Sequence, residues 1–171
     1  MRKFLIGVVL VVACRKAEQP ATGTVAAKPP VKTERVATMP AYEAKRLDGT
    51  PFKLGHDKVV LLNVWATWCG PCRFEIPELQ GLHDKYAARG FEVIGASVDE
   101  GDPKVVQDFV TEQKMTYPII LDPAGKIAAI LDASVLPTTV LLDKSGHIVW
   151  KKIGAIAPQD AELAKAIEKA L

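Results

Sequence analysis

Hydrophobic positions along this chain change period several times, and the changes mark its elements. Val59-Val60-Leu61-Leu62-Asn63-Val64-Trp65 is almost continuously apolar and rich in β-branched residues. That is the pattern of a strand buried on both faces, as in a parallel sheet. After Cys72, Leu79, Leu82 and Tyr86 are spaced for one buried helix face. Pro77 predicts a kink there, because it removes the hydrogen bond to the carbonyl of Arg73, and Gly90 is a fitting C-cap. Residues 91–98 predict a second buried strand. Asp102-Pro103 supplies an N-cap and a first-turn proline for a helix to about residue 114, with Val105, Val106, Phe109 and Val110 inward. A short strand at 117–121, a short helix at 124–131, strands at 140–143 and 147–151 and an amphipathic helix at 158–171 complete the run. Ahead of them, residues 41–47 and 50–54 read as a hairpin closed by Asp48-Gly49. A βαβ unit followed by a hairpin and a final helix is an α/β sandwich.

The pattern differs before residue 41. Met1-Arg2-Lys3 precedes a nine-residue apolar run at 4–12, too short to span a bilayer in the ordinary way and suited to a signal-peptide core. Val11-Val12-Ala13-Cys14 resembles a bacterial lipobox, which implies a signal peptide at 1–13, cleavage before Cys14 and lipidation of Cys14. Residues 14–40 hold Pro20, Pro29, Pro30 and Pro40 among Ala, Thr and Lys with almost no apolar periodicity, and read as a linker. Its reach is roughly 25–30 Å as a flexible coil and roughly 80 Å fully stretched. Residues 41–171 form the domain.

Composition adds little beyond this frame. Hydrophobic residues make up 49% of the chain, enough for a core, and the formal net charge of +2 falls to zero once Arg2 and Lys3 leave with the signal. Charge therefore gives no reason to expect nucleic acid. The linker is net basic and the domain mildly acidic, which suits attachment beside an anionic membrane surface.

Two of the three cysteines carry the chemistry. Cys69 falls where strand gives way to helix, and Cys72 lies one turn further, so the two sulfurs share a face and can close a small disulfide ring. Unpaired N–H groups and the macrodipole at a helix N-terminus favour a thiolate at Cys69. Pro71 is acceptable in a first turn. Half of a zinc site is the alternative, but zinc wants four ligands, and no further cysteine pair is present while His56, His83 and His147 are scattered. Asp99, Glu100 and Asp102 lack the remainder of a calcium loop and read as solvated.

Trp65-Ala66-Thr67-Trp68-Cys69-Gly70-Pro71-Cys72 resembles the active site of thioredoxin-fold proteins. Asn63-Val64-Trp65-Ala66-Thr67-Trp68 before it and Arg73-Phe74-Glu75-Ile76-Pro77 after it resemble the TlpA/ResA-like membrane-tethered thiol-disulfide oxidoreductases. The resemblance covers about residues 41–171. It implies a thioredoxin-like fold with a central mixed sheet flanked by helices, an N-terminal hairpin and a central insert. Cys69 would attack, Cys72 would resolve, and the pair would form the redox disulfide. Cytosolic thioredoxins carry an aspartate at the position of Asn63, which cannot titrate. Glu75 matches the family's active-site glutamate and is the candidate for proton handling, the other reading being a solvent-facing residue near a helix N-terminus. The resemblance makes the Leu136–Pro137 bond cis and residues 136–138 an edge that holds client peptide. Trp68, Gly70, Pro71, Leu136, Pro137 and Thr138 are thus the expected substrate contacts, with Trp65 in the core.

The expected function is exchange of dithiol for disulfide with protein substrates, outside the cytoplasm, by a lipid-anchored monomer. No cofactor and no metal are implied. Gly70-Pro71 between the cysteines resembles reducing thioredoxins, so reduction is favoured, with electrons from a membrane protein of the CcdA or DsbD kind and apocytochrome c among the clients. An oxidase or isomerase on the same fold, or a client-binding module with a structural disulfide, are the alternatives.

Overall fold

The computed structural model describes residues 38–171 apart from His56; the leader at 1–13, Cys14 and the linker through residue 37 lie outside the described residues. Among the described residues, seven strands and four α-helices follow in chain order. These are β1 Glu43–Arg46, β2 Pro51–Lys53, β3 Val59–Trp65, α1 Gly70–Tyr86, β4 Phe91–Ser97, α2 Pro103–Glu112, β5 Ile119–Leu121, α3 Lys126–Ile130, β6 Thr138–Leu142, β7 Ile148–Ile153 and α4 Ala161–Ala170. They build one mixed sheet in the order β2-β1-β5-β4-β3-β6-β7. None of the described helices is long and apolar enough to cross a membrane.

β3 is the centre of the sheet, and all seven of its residues are buried. Successive side chains of a strand point to opposite faces. Val59, Leu61 and Trp65 pack with Ile76 and Leu79 of α1, Phe109 of α2 and Leu163 and Ile167 of α4. Val60, Leu62 and Val64 pack with Ile127 of α3, Phe52 of the hairpin and Met39. Asn63 lies on the first of these faces by parity, so the period of two aims a lone amide at the helices α1 and α4.

β4 runs parallel to β3 in register, Val59 opposite Phe91 through Trp65 opposite Ser97. A βαβ unit made with α1 follows directly. Gly95 of β4 is small for a reason: a Cβ there would sit 2.7 Å from Ile119 Cδ1 and 2.9 Å from Trp65 Nε1. β6 pairs with β3 antiparallel, Thr138 opposite Val64. The C-terminal end of β3, where the chain turns into α1, therefore lies beside the N-terminal end of β6, where Pro137 leads in. The hairpin β1–β2 joins the far side through an antiparallel pairing of β1 with β5.

Asp122, buried ahead of α3, accepts from the backbone N–H groups of Lys126 and Ile127 and from the hydroxyl of Tyr42. Burial and that carboxylate hold the Tyr42 hydroxyl well above its ordinary pKa.

Several details differ from the sequence pattern. Val105 is 56% exposed, whereas Val106 and Phe109 are buried; a short helix laid against the sheet buries a narrower apolar stripe than four residues. α1 carries Pro77 within it and continues to Tyr86, then tightens into a 3-10 turn at Ala87–Arg89 capped by Gly90 in the left-handed conformation. α4 begins only at Ala161, after its N-cap Asp160. The folded unit also takes in Thr38, bridged to His147, and the buried Met39, whose N–H donates to the Gly146 carbonyl.

Candidate active site

Cys69 occupies the N-cap of α1, with extended backbone dihedrals, and Pro71 sits in the first turn where its missing N–H is no loss. The Cys72 N–H donates to Cys69 Sγ at 3.2 Å. One of the orphan donors of the helix terminus is thus spent on the sulfur that the sequence assigns as nucleophile. The two cysteines are joined in a disulfide, with their Cα atoms 5.3 Å apart.

The sequence asks for an exposed attacking sulfur, but Cys69 is only 5% exposed in this oxidised form. Its sulfur is bonded to Cys72, and the pair belongs to the hydrophobic cluster that also holds Ala66, with Leu136 partly buried against it. Exposure belongs instead to its neighbours: Trp68 is 70% exposed, and Gly70, Pro71 and Phe74 are exposed around it. Gly70 has open space where a Cβ would stand.

The loop that carries Trp68 is pinned from below. Asp99, which the sequence pattern leaves as a solvated acid, accepts from the Thr67 backbone N–H, from the Thr67 hydroxyl at 2.6 Å and from the Ser97 hydroxyl. Arg73 reaches back past the N-terminus of α1 and donates to the Thr67 carbonyl at 3.1 Å. Its guanidinium lies 4.9 Å from the centre of the Phe109 ring. Neither residue was found from the sequence; the signal available was Ser97-Val98-Asp99 at the end of a parallel strand, level with the turn after β3.

One turn beyond Cys72, α1 carries a buried carboxylate. Glu75 is on the same face of α1 as Cys72, one turn on, and is 0% exposed, so the solvent-facing reading is excluded. Its Oε1 accepts from Asn63 Nδ2 at 2.8 Å and its Oε2 from the Ile156 N–H at 2.8 Å. Asn63 also donates to the Thr139 hydroxyl. Asn63 therefore holds the carboxylate in place while it cannot itself take a proton. Burial pushes the Glu75 carboxyl up to about 7, against the lowering effects of its two donors and of the Lys152 cation. An acid poised there can take or give a proton near neutral pH.

On the other side of the pair, the Leu136–Pro137 bond is cis and Pro137 is buried. Thr138 does not form a free edge. It pairs with Val64 of β3 on one side and Ile153 of β7 on the other, its hydroxyl donates to the Val135 carbonyl, and the Pro137 carbonyl accepts from the Gly154 N–H. Among the described residues, this leaves Leu136 as the backbone position that could meet an extended chain.

Residues 37–151 match the model of the AhpC/TSA family. The chain is 34% identical over 125 residues to the thiol-disulfide oxidoreductase ResA of Bacillus anthracis, covering 72% of each protein. It is 29% identical over 136 residues to sporulation thiol-disulfide oxidoreductase A of Bacillus subtilis, covering 77% of this chain and 81% of that one. The crystal structure of a secreted thiol-disulfide isomerase from Corynebacterium glutamicum superposes with a TM-score of 0.69 at 33% identity, over 83% of this chain and 94% of that one. With the Cys69–Cys72 pair opening α1 after the central strand, the match over residues 37–151 and these identities make the chain a member of the AhpC/TSA family, a thioredoxin-fold thiol-disulfide oxidoreductase of the ResA type.

Proposed function

We propose that this oxidoreductase reduces disulfides of protein substrates outside the cytoplasm, using Cys69 to attack and Cys72 to resolve. The observation that carries the reading is Glu75, fully buried one turn behind Cys72. The Cys69 thiolate attacks one sulfur of a substrate disulfide, forming a mixed disulfide and releasing the other substrate sulfur as a thiolate, which takes a proton. Glu75 then accepts the proton of the Cys72 thiol. The Cys72 thiolate attacks Cys69 Sγ, the Cys69–Cys72 disulfide closes, and the second substrate sulfur leaves as a thiolate, which takes a proton while Glu75 gives its own back to solvent. Two electrons have passed from the pair to the substrate.

A negative carboxylate at this depth opposes a second negative charge at Cys72, so the resolving sulfur stays a thiol until the mixed disulfide has formed. It also offsets the thiolate stabilisation that makes a strong oxidant. Gly70-Pro71 between the cysteines agrees with a reducing role. Leu136 offers the backbone against which an extended client chain would lie, with Trp68 as an apolar shoulder and Gly70, Pro71, Pro137 and Thr138 around the pair.

The same reading places a signal peptide at 1–13, a lipid on Cys14 and a tether through the linker, so that the domain works beside a membrane as a monomer. Its electrons would come from a membrane dithiol protein of the CcdA or DsbD kind, and apocytochrome c is among the clients it would serve. The description of the Corynebacterium glutamicum relative as secreted agrees with the location. A second reading, isomerisation, draws on the exposed apolar Trp68 and Phe74, which would suit an unfolded client.

Titration of the cysteine pair against glutathione buffers separates these. A potential close to the about −270 mV of thioredoxin supports the reductant, one close to the about −180 mV of protein disulfide isomerase favours isomerisation, and one close to the about −120 mV of a strong disulfide oxidant sinks the reductant.

A further inference from the structure

β7 contributes a charge to the site that the catalytic motif does not contain. In the sheet, Asn63 of β3 stands opposite Thr139 of β6, and Thr139 opposite Lys152 of β7. Directly opposed residues on neighbouring strands present their side chains to the same face, and the Asn63–Thr139 hydrogen bond marks which face this is. Lys152 therefore projects onto the side where Glu75 lies, four residues before Ile156, whose N–H holds the other carboxylate oxygen. The lysine is two-thirds covered, and its ammonium donates at 2.8 Å to Asp160 Oδ2, itself only 11% exposed as a side chain. Asp160 is in turn the N-cap of α4, accepting from the Glu162 and Leu163 N–H groups.

We infer that Lys152, held on the Glu75 side of the sheet by Asp160, is a positioning residue that tunes the pH at which Glu75 exchanges its proton, within the range that burial establishes, and through it the pH range over which the cysteine pair resolves. The inference rests on the reading that Glu75 receives the Cys72 proton.

The groups around Glu75 leave this role to Lys152. β3 supplies a neutral amide, Asn63, and β6 a neutral hydroxyl, Thr139. α1 supplies Cys72. Tyr117, ahead of β5, is buried with its hydroxyl unpartnered, and burial together with the Glu75 charge keeps it protonated. α4 faces the core with Leu163 and Ile167. The loop after β7 offers the Ile156 N–H. Arg73, on Glu75's own helix, is committed to the Thr67 carbonyl and the Phe109 ring. Among the described residues, Lys152 is the cation whose field favours ionised Glu75, and Asp160 is the anion that tempers it.

Two substitutions test the arrangement in opposite directions. Lys152→Met keeps the aliphatic stem and removes the charge, so Glu75 should hold its proton to higher pH. Asp160→Asn removes the anion yet leaves a side chain that caps helices well, so the lysine acts at full strength and Glu75 should ionise at lower pH. Each shift should be on the order of half a pH unit at low salt, since the pair is partly screened. Lys152→Arg should leave the midpoint close to that of the unmodified protein. The readout is the carboxyl carbon resonance of Glu75 across pH 4 to 9, measured in the reduced protein alongside the pH profile of disulfide exchange.

Opposite displacements of the resonance midpoint establish the inference. Midpoints that stay fixed, or that move together in both variants as a general loosening would make them do, overturn it. The reading of Glu75 as proton acceptor is judged separately, in the unmodified protein. It fails if the exchange profile does not follow the Glu75 midpoint there, whatever the variants do to the resonance.

Discussion

Replacing Glu75 by Gln changes the stability of the oxidised protein in a pH-dependent way whose size follows from the site. The carboxyl titrates at about 7 in the fold against an ordinary 4.5. Below pH 4.5 both folded and unfolded chains carry the proton, and the group contributes nothing to the pH dependence. Between 4.5 and 7 the unfolded chain has released it while the folded chain retains it, so stability falls as pH rises. Above 7 both are ionised and the loss is complete. A midpoint raised that far corresponds to about 3 kcal/mol. Gln is the appropriate comparison because it resembles the protonated acid. Each has one good acceptor facing two donors, Asn63 Nδ2 and the Ile156 N–H, so the cost of the poorly satisfied donor, larger for the amide, does not change with pH. Urea unfolding of the two proteins from pH 4 to 9 isolates the carboxyl, since every other titrating group is common to both. The variant should gain up to about 3 kcal/mol on the unmodified protein across this window, nearly all of it between pH 4.5 and 7.5. Stability curves that run parallel would refute a buried, raised carboxyl at position 75.

Gly95→Ala drives a methyl to within 2.7 Å of Ile119 Cδ1 and 2.9 Å of Trp65 Nε1, and should cost about 1–3 kcal/mol in denaturant unfolding; an unchanged midpoint would mean that β4 and Trp65 adjust freely. Asp99→Ala removes the acceptor of the Thr67 N–H and hydroxyl, which should cost about 1–3 kcal/mol and accelerate backbone hydrogen exchange at Thr67. Protection there equal to that of the unmodified protein would show that Arg73 alone holds the loop. Cys14→Ser should move the protein from the membrane fraction to the soluble one, or block its processing, while the soluble domain keeps its exchange activity. Retention on membranes with unchanged mass would remove the lipid from the account.

The sequence displayed some of this more clearly than the rest. β3 was legible because seven residues buried on both sides leave an almost unbroken apolar run, and the cysteine pair because strand-to-helix geometry and the three-residue spacing act locally. Asp48-Gly49 announced its hairpin for the same reason. Glu75 was legible as a candidate but its burial was not: the helix spacing put it with Cys72, yet a carboxylate is normally expected in water. One of the donors that holds it in place, the Ile156 N–H, lies 81 positions away in the chain. Asn63 read as a lost titrating group, whereas the fold makes it the donor that holds Glu75. Asp99 and Asp122 were the hardest. Their partners, Thr67 and Tyr42, lie 32 and 80 residues distant, and an acid that organises a turn from across the sheet leaves the same local pattern as one facing solvent. Lys152 shows the same limit, since only the register of β6 against β7 brings it to the site.

The central claim is that Cys69 attacks and Cys72 resolves. It is tested most directly by exposing reduced Cys72→Ser and reduced Cys69→Ser to a disulfide-bonded peptide and measuring the mixed disulfide by mass spectrometry. With the resolving thiol gone, the Cys72→Ser protein should accumulate a peptide adduct on Cys69 that persists until a reductant is added. The Cys69→Ser protein should accumulate far less, because its remaining sulfur lies within the first turn of α1, without the N-cap position that activates Cys69. Equal accumulation by the two, or adducts chiefly on Cys72, would contradict the assignment.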